Sequence, residues 1–334
     1  MIIGLTYNLR SDVTLTPDDP TDRYEEFDSD QTIDALESAL RSLGHTPYRL
    51  GWGRPMLTHI ESLGREGVHL DGVFNMAEGI GGRGRESQVP AVLEMLGIPF
   101  TGSDPLTLGL SLDKGLAKML ARSHGIPTAP FRVASTVDEL SSEDLAFPLF
   151  VKPAAEGSSM GITSASLCTD EKELRVYGSS LLSNYDGPVL IEEYLSGAEF
   201  TVGIVGNGDQ ARIVGAMQIV PRKPDGDFIY SLEVKRDYLN QVDYLLPPPV
   251  DARLLSAVDE VAMSIYRVFQ CRDVARIDIR CDRDGRPNFV EFNPLPGINP
   301  SYSDLVILAR LAGWTYEQLI GAIVDSAIAR WPRR

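Results

Sequence analysis

The sequence predicts an α/β protein with an N-terminal doubly wound parallel sheet and a C-terminal part of α+β character. Through residues 1–103, short apolar runs alternate with stretches of helical period, the pattern of a parallel sheet covered by helices on both faces. Towards the C-terminus, Val274 to Cys281 alternates apolar with polar residues, turns at Asp284-Gly285 and returns through Asn288 to Asn293, which predicts an antiparallel hairpin. Hydrophobic residues make up 43% of the 334, with a mean hydropathy of -0.08, the composition of a soluble globular chain of two or three domains. The expected units are residues 1–103, 104–188 and 189–334.

Residues 1–7 read as a buried strand, followed by an acidic, proline-containing loop over 11–27. Asp28 with Gln31 three residues later predicts a capping-box helix start. Ile33, Leu36, Leu40 and Leu43 give that helix one apolar stripe, and Gly44 stops it. Strands at 46–50 and 71–76 alternate with helices near 56–65 and 87–96. A helical stretch containing Asp113, Lys114, Leu116, Met119 and Leu120 ends at Gly125, and Ile126-Pro127-Thr128-Ala129-Pro130 is a stiff extended connector. Strand 147–151 then delivers Lys152-Pro153 and a small-residue loop, Glu156-Gly157-Ser158-Ser159-Met160-Gly161. After it come a strand, a helix over 170–183, strands at 189–194, 200–205 and 211–220, a long helix over 250–269, the hairpin and two final helices.

With 31 Lys and Arg against 47 Asp and Glu, the net charge of -16 argues against nonspecific binding to nucleic acid or an anionic membrane, which needs a basic field. The three cysteines lack metal or redox spacing and the four histidines form no ligand pattern. The N-terminus has no signal-peptide character and no apolar run is long enough to span a bilayer, so a reducing, cytoplasmic setting is expected.

In the hairpin, Arg276 and Asp278 share one face, and so do Glu291 and Asn293. Two such strands side by side present carboxylates, an amide oxygen and a guanidinium to one cleft, suited to Mg²⁺ carrying phosphates; an ordinary charged hairpin with one solvated face is the other reading. The loop at 156–161 can wrap phosphates with its backbone N–H groups, with Lys152 as a point charge, or be a surface turn. Glu192 and Glu193 face opposite sides of their strand, so only one can point into a given cleft. Glu199 can accept ribose hydroxyls or be a solvated carboxylate. Gly79-Ile80-Gly81-Gly82-Arg83-Gly84 matches a dinucleotide fingerprint, with Asp104 twenty residues on. It follows the third strand rather than the first and carries Glu78 where a pyrophosphate would arrive, so a bent active-site loop fits it better.

Taken in order, these motifs resemble the ATP-grasp superfamily and, within it, the D-alanine:D-alanine ligases. The resemblance is carried by Phe74-Asn75 with the glycine-rich loop, Gly97 to Ser103, Leu112-Asp113-Lys114, Val151-Lys152-Pro153 with Glu156 to Gly161, and Leu190 to Val202. It continues through Glu233-Val234-Lys235, Arg276-Ile277-Asp278, and Glu291-Phe292-Asn293 with Pro296-Gly297. It implies an ATP-grasp fold and ATP bound between the central and C-terminal units. Lys114 and Lys152 hold phosphates, Glu192 with the backbone of Glu193 to Leu195 reads adenine, and Glu199 holds ribose. Asp278, Glu291 and Asn293 ligate Mg²⁺, or Mn²⁺ in its place. Arg276, Lys235, Gly297 N–H and Ser158 of the closing loop form the catalytic set. The implied reaction is phosphorylation of a carboxylate by ATP, then attack of an amine and loss of phosphate, between small amino-acid or peptide substrates. A residue set that positions and neutralises charge, with no protein nucleophile, is what phosphoryl transfer needs. A homodimer is also implied.

The departures lie at the substrate end. Tyr7 to Asp12 replaces a Gly-Gly-x-Ser-x-Glu segment, leaving Glu25, Glu26 or Asp28 as candidates for recognising the first substrate. Glu78 stands where the family has a histidine, Arg236 where it commonly has tyrosine or phenylalanine, and Ile298 to Ser303 where it has small residues and Ser-Leu. Glu78, Arg236, Asn299, Tyr302 and Ser303 are therefore the candidate substrate residues, and substrates other than plain D-alanine are expected. A nucleotide-binding module without ligase turnover is the alternative function.

Overall fold

A computed structural model of the protein describes residues 1–17, 19–223 and 228–332. The chain builds three sheets in sequence. In the first, β1 (Ile2–Tyr7), β2 (Thr46–Arg49) and β3 (Gly72–Met76) run parallel in the order β2-β1-β3. Helices bury both faces. Ile33, Leu36 and Leu40 of helix Asp30–Ser42 pack with Ile3, Leu5 and Phe74, while Met56, Val89 and Leu93 close over Val73 from the other side. That is the doubly wound arrangement the strand and helix alternation predicts.

The start of the first helix differs from the expected capping box. Ser29, in extended conformation, caps it by accepting from Thr32 N–H. Asp28 lies one residue too early, in a bridge with Leu9, and burial pushes its carboxyl up to about 7.

The second sheet contains β4 (Phe131–Ala134), β5 (Leu149–Pro153), β6 (Leu167–Cys168) and β7 (Val189–Glu193), antiparallel in the order β4-β7-β5-β6. The third contains β8 (Glu199–Val205), β9 (Arg212–Pro221), β10 (Val242–Leu245), β11 (Val274–Cys281) and β12 (Pro287–Asn293), antiparallel in the order β10-β9-β8-β11-β12. Helix Ala252–Val268 covers one face of it through Val258, Ala262 and Ile265. Helices Asp304–Leu311 and Tyr316–Arg330 join the other face to the first sheet, with Leu305, Leu319 and Ile323 in one core with Ile3, Leu5, Val205 and Val274.

The expected boundary at 103 lies between the first sheet and the second, whereas the crossing to the third sheet falls past 188. β7 pairs with β4 and β5, so the crossing to the third sheet falls between Glu193 and Glu199 rather than at 188. Helix Lys114–Ser123 lies in the expected middle unit, yet its Ala117 and Ala121 are buried with Phe289 and Ile265 of the third. Both departures have one cause: an apolar stripe says that a surface is buried but not against which partner. Among the described residues, no helix is long and apolar enough to cross a membrane.

Candidate active site

The β11–β12 hairpin sets the geometry. Its register opposes Arg276 to Asn293 and Asp278 to Glu291, so all four side chains stand on one face, as the period-two reading expects. Beyond that pair the register steps from Glu291 to Phe289, leaving Val290 as the extra residue of a bulge that ends the polar stretch. Asp278 is saturated: Oδ1 accepts from Thr201 Oγ1 at 2.9 Å and Arg276 Nε at 3.2 Å, and Oδ2 from Arg276 Nη2 at 3.0 Å and Asn293 Nδ2 at 3.2 Å.

Glu291 takes a lysine from outside the hairpin. Lys114 Nζ, on the first turn of helix Lys114–Ser123, lies 2.9 Å from Glu291 Oε1 and also donates to the Glu156 carbonyl at 2.5 Å. Burial opposes the charge on Glu291, but Lys114 and then Lys152 outweigh it and hold the carboxyl at about 2.

β5 and β7 contribute a second buried ion cluster. Lys152 Nζ lies 2.7 Å from Glu192 Oε1, and Lys118 Nζ lies 2.7 Å from Glu192 Oε2. Lys118 is 0% exposed and also donates to Thr128 Oγ1 at 2.6 Å. Against the penalty of burial, Lys118 and Lys152 bring the Glu192 carboxyl down to about 2. Glu193 points to the opposite side of the strand, where Oε1 accepts from Ala146 N–H.

A narrow cavity of about 80 Å³ between the second and third sheets is lined by Lys152, Glu192, Leu195, Glu199, Lys235, Asp278 and Glu291. Glu199 stands 3.3 Å from Arg280 Nη1, and burial raises its carboxyl against that guanidinium. A wider cavity of about 690 Å³ opens beside it and gathers Ser158, Lys235, Arg236, Arg276, Gly297, Tyr302 and Ser303. Glu25 joins them there, its carboxylate gripped by Arg236 Nη2 at 2.6 Å and approached by Arg10 Nη2 at 3.5 Å.

Two candidate substrate residues are not brought to this cavity. Asn299 is buried, its amide donating to Thr32 Oγ1 at 2.8 Å and accepting from Ser301 N–H, so it fastens a turn to the first helix. Glu78 sits among Glu26, Glu86 and Arg85; burial first, then the charges of Glu26 and Glu86, raise its carboxyl well above the usual range. It is turned there by Gly79, whose positive φ of 71° starts the glycine loop and whose N–H donates to Asn8 Oδ1. That loop runs into a single turn, Arg85–Ser87, before its helix.

The 156–161 loop is tied down from three sides. Arg85 Nη1 donates to the Ala155 carbonyl at 2.8 Å while Arg85 also pairs with Glu26 and Glu156. Gly161 N–H donates to Asp22, and Ser159 Oγ to the Tyr230 carbonyl. Ser158 and Ser159 both adopt positive φ, 49° and 59°, an uncommon conformation maintained by those ties.

The sequence reading missed Lys118, Thr201, Arg280, Tyr230 and Asp304. Only Lys118 carried a usable signal, four residues after Lys114 and so on the same helix face. The others reach the site through pairing and packing distant in sequence.

Comparison with known proteins adds an independent line. The family model described as D-ala D-ala ligase C-terminus matches residues 120–325. The uncharacterized protein y4sG of Sinorhizobium fredii is 33% identical over 301 residues, 89% of this chain and 88% of its own. The D-alanine–D-alanine ligase of Mannheimia succiniciproducens is 33% identical over 299 residues, 87% of this chain and 90% of its own. The crystal structure of D-alanine–D-alanine ligase from Bacillus anthracis complexed with ATP superposes with a TM-score of 0.73 at 22% identity, covering 98% of each chain.

Proposed function

The chain belongs to the D-alanine–D-alanine ligase family, and we propose that it joins two amino-acid-like substrates in an amide bond by way of an acyl phosphate, using ATP and Mg²⁺. It is an ATP-dependent ligase that forms C–N bonds. The observation that carries the reading is the meeting of Lys114, Lys152, Asp278 and Glu291 beside a cavity lined by Arg276, Lys235 and Gly297.

The residues fit the groups such a reaction needs. Two carboxylates and an amide on adjacent registers form an all-oxygen donor set once the Asn293 amide turns its oxygen inward, which suits a hard divalent cation. Bound there, Mg²⁺ supplies charge neutralisation for transferring phosphates. In this reading Lys114 and Lys152 bind phosphate oxygens; each pairs with a carboxylate, Glu291 and Glu192. Because both Glu192 oxygens face lysines, we assign adenine recognition to the backbone of Glu193 to Leu195 and give Glu192 the task of holding Lys152. Glu199 lines the narrow cavity, and its Oε2, ion-paired with Arg280 Nη1 at 3.3 Å, accepts no hydrogen bond from the described residues, which suits a ribose hydroxyl.

In the wider cavity, Arg276 neutralises the carboxylate, acyl phosphate and tetrahedral oxyanion in turn, and Gly297 N–H donates to that oxyanion. Ser158 and its loop exclude water from the acyl phosphate. Arg236, Tyr302 and Ser303, with Glu25, orient the substrates. Arg236, with the Ile298 to Ser303 segment, departs from the family's substrate-end residues, so substrates other than plain D-alanine are part of the reading. A homodimer, which rests on the resemblance, and a cytoplasmic setting, which rests on cysteine usage, belong to the same proposal.

The test is ADP release by purified protein with ATP, Mg²⁺ and paired D- and L-amino acids and small peptides, with mass detection of the product. At least one pair is expected to give ADP and an amide in equal amounts; no turnover with any pair, D-alanine included, would sink the proposal.

A further inference from the structure

The wider cavity contains a carboxylate that none of these assignments uses. Asp304 opens helix Asp304–Leu311, is 7% exposed and lines the cavity beside Arg276. Its two oxygens differ. Oδ1 accepts from Tyr230 Oη at 2.9 Å and Tyr244 Oη at 3.4 Å, and the two phenols are themselves 2.6 Å apart. Burial first, and then the Asp304 charge, raise both phenols above their ordinary value, so they remain donors. Oδ2 accepts no hydrogen bond from the described residues; its nearest cation, Arg276 Nη1, stands 3.8 Å away, beyond hydrogen-bond reach.

A carboxylate oriented through one oxygen, with the other left without a protein donor in a residue that lines the cavity, can take a donor from a bound molecule. The reaction brings one. The second substrate arrives as an ammonium and must lose a proton before its nitrogen can attack a carbonyl carbon. We propose that Asp304 is the group that receives the ammonium of the second substrate and accepts its first proton, next to the acyl phosphate held by Arg276; this rests on the ligase reading above. The freed nitrogen lone pair forms the C–N bond, and the C–O bond to phosphate breaks with its electron pair leaving on phosphate. The second N–H proton goes to the departing phosphate, and Asp304 returns its own to solvent. Acyl phosphate and ammonium thus become amide, hydrogen phosphate and one proton. Tyr230 and Tyr244 are positioning residues that aim Oδ2.

Hydroxylamine separates this role from acyl phosphate formation, because it is uncharged near neutral pH and needs no base to become a nucleophile. Wild type, Asp304→Asn and Asp304→Glu are assayed with ATP, Mg²⁺ and each D- and L-amino acid as acyl donor, with either hydroxylamine or the amino acid itself as nucleophile. In Asp304→Asn the ratio of hydroxamate to amide turnover is expected to rise about a hundredfold, the scale of a lost general base, with a raised KM for the amine. Asp304→Glu should recover part of the amide turnover. An unchanged ratio overturns the assignment and leaves the ligase standing. So does equal loss of both products in Asp304→Asn with Asp304→Glu no better, which makes the residue structural. Absence of both hydroxamate and amide from wild type with every donor overturns the ligase reading itself.

Discussion

Glu192 and its two lysines show how far a single residue's environment departs from its type. Lys118 is an unremarked helix lysine in the sequence, yet it is fully enclosed and completes the charge balance of a carboxylate on β7. Lys118→Met leaves Glu192 with one partner in a buried setting and should cost ~3–5 kcal/mol in a urea titration, the scale for breaking a buried pair; a loss below ~1 kcal/mol would mean that the charge is solvated. The same cluster shapes the acid limb. Glu192 and Glu291 sit at about 2 in the folded protein against an ordinary 4.5, so the stability they contribute is present above 4.5 and lost as pH falls towards 2. Glu86 works in the opposite sense. Burial raises it to about 8, so the folded state retains a proton that the unfolded chain releases, and stability falls as pH climbs from 4.5 towards 8. Thermal melts across this range should show Glu86→Gln flattening the upper limb and Glu192→Gln the lower; an unaltered profile in either variant would contradict its assignment.

Among the elements, the hairpin was legible and its surroundings were not. Period-two alternation and Asp284-Gly285 specify which side chains of β11 and β12 share a face, because both strands are local to one turn. Thr201 from β8 and Lys114 from a helix reach the same carboxylates through pairing that spans many residues, and no local pattern announces it. The glycine loop is a comparable case. Its six residues match a nucleotide fingerprint on spacing alone, while the structure shows what Gly79 is for: φ is 71°, and a Cβ there would meet the Arg85 carbonyl at 2.2 Å. Gly79→Ala should therefore cost ~1–3 kcal/mol by differential scanning calorimetry. Because Arg85 also holds Ala155, the 156–161 loop should become more susceptible to limited proteolysis in the same variant. Wild-type stability and cleavage would show that the turn is not strained by a side chain.

For the molecule as a whole, the units meet on one residue. Asp273 is 0% exposed and accepts from Gly102 N–H at 2.8 Å, Asn207 Nδ2 at 2.9 Å, and Arg330 Nε at 3.0 Å and Nη2 at 2.6 Å. Arg330 also donates to the Phe100 and Gly102 carbonyls. One carboxylate thus joins the end of the first sheet's domain, the third sheet and the last helix. Arg330→Met should lower stability by ~3 kcal/mol and broaden the denaturation transition as the first unit loosens from the third, read by urea unfolding with two probes. A sharp transition at the wild-type midpoint would show that the joint is carried by apolar packing alone.

The amino-acid sequence by itself determined the strand and helix alternation of the parallel first sheet, the shared polar face of the hairpin and the small-residue loop over 156–161, because each is written in local periodicity or in a turn that only a few residues can make. Tertiary structure decided which candidates meet. It brought Arg236, Tyr302 and Ser303 to the wider cavity, turned Asn299 and Glu78 away from it, assigned β7 to the second sheet and placed Asp304 beside Arg276. The physical reason is common to all of these. A side chain's chemistry is local, but burial and charge depend on partners that the fold recruits from elsewhere in the chain.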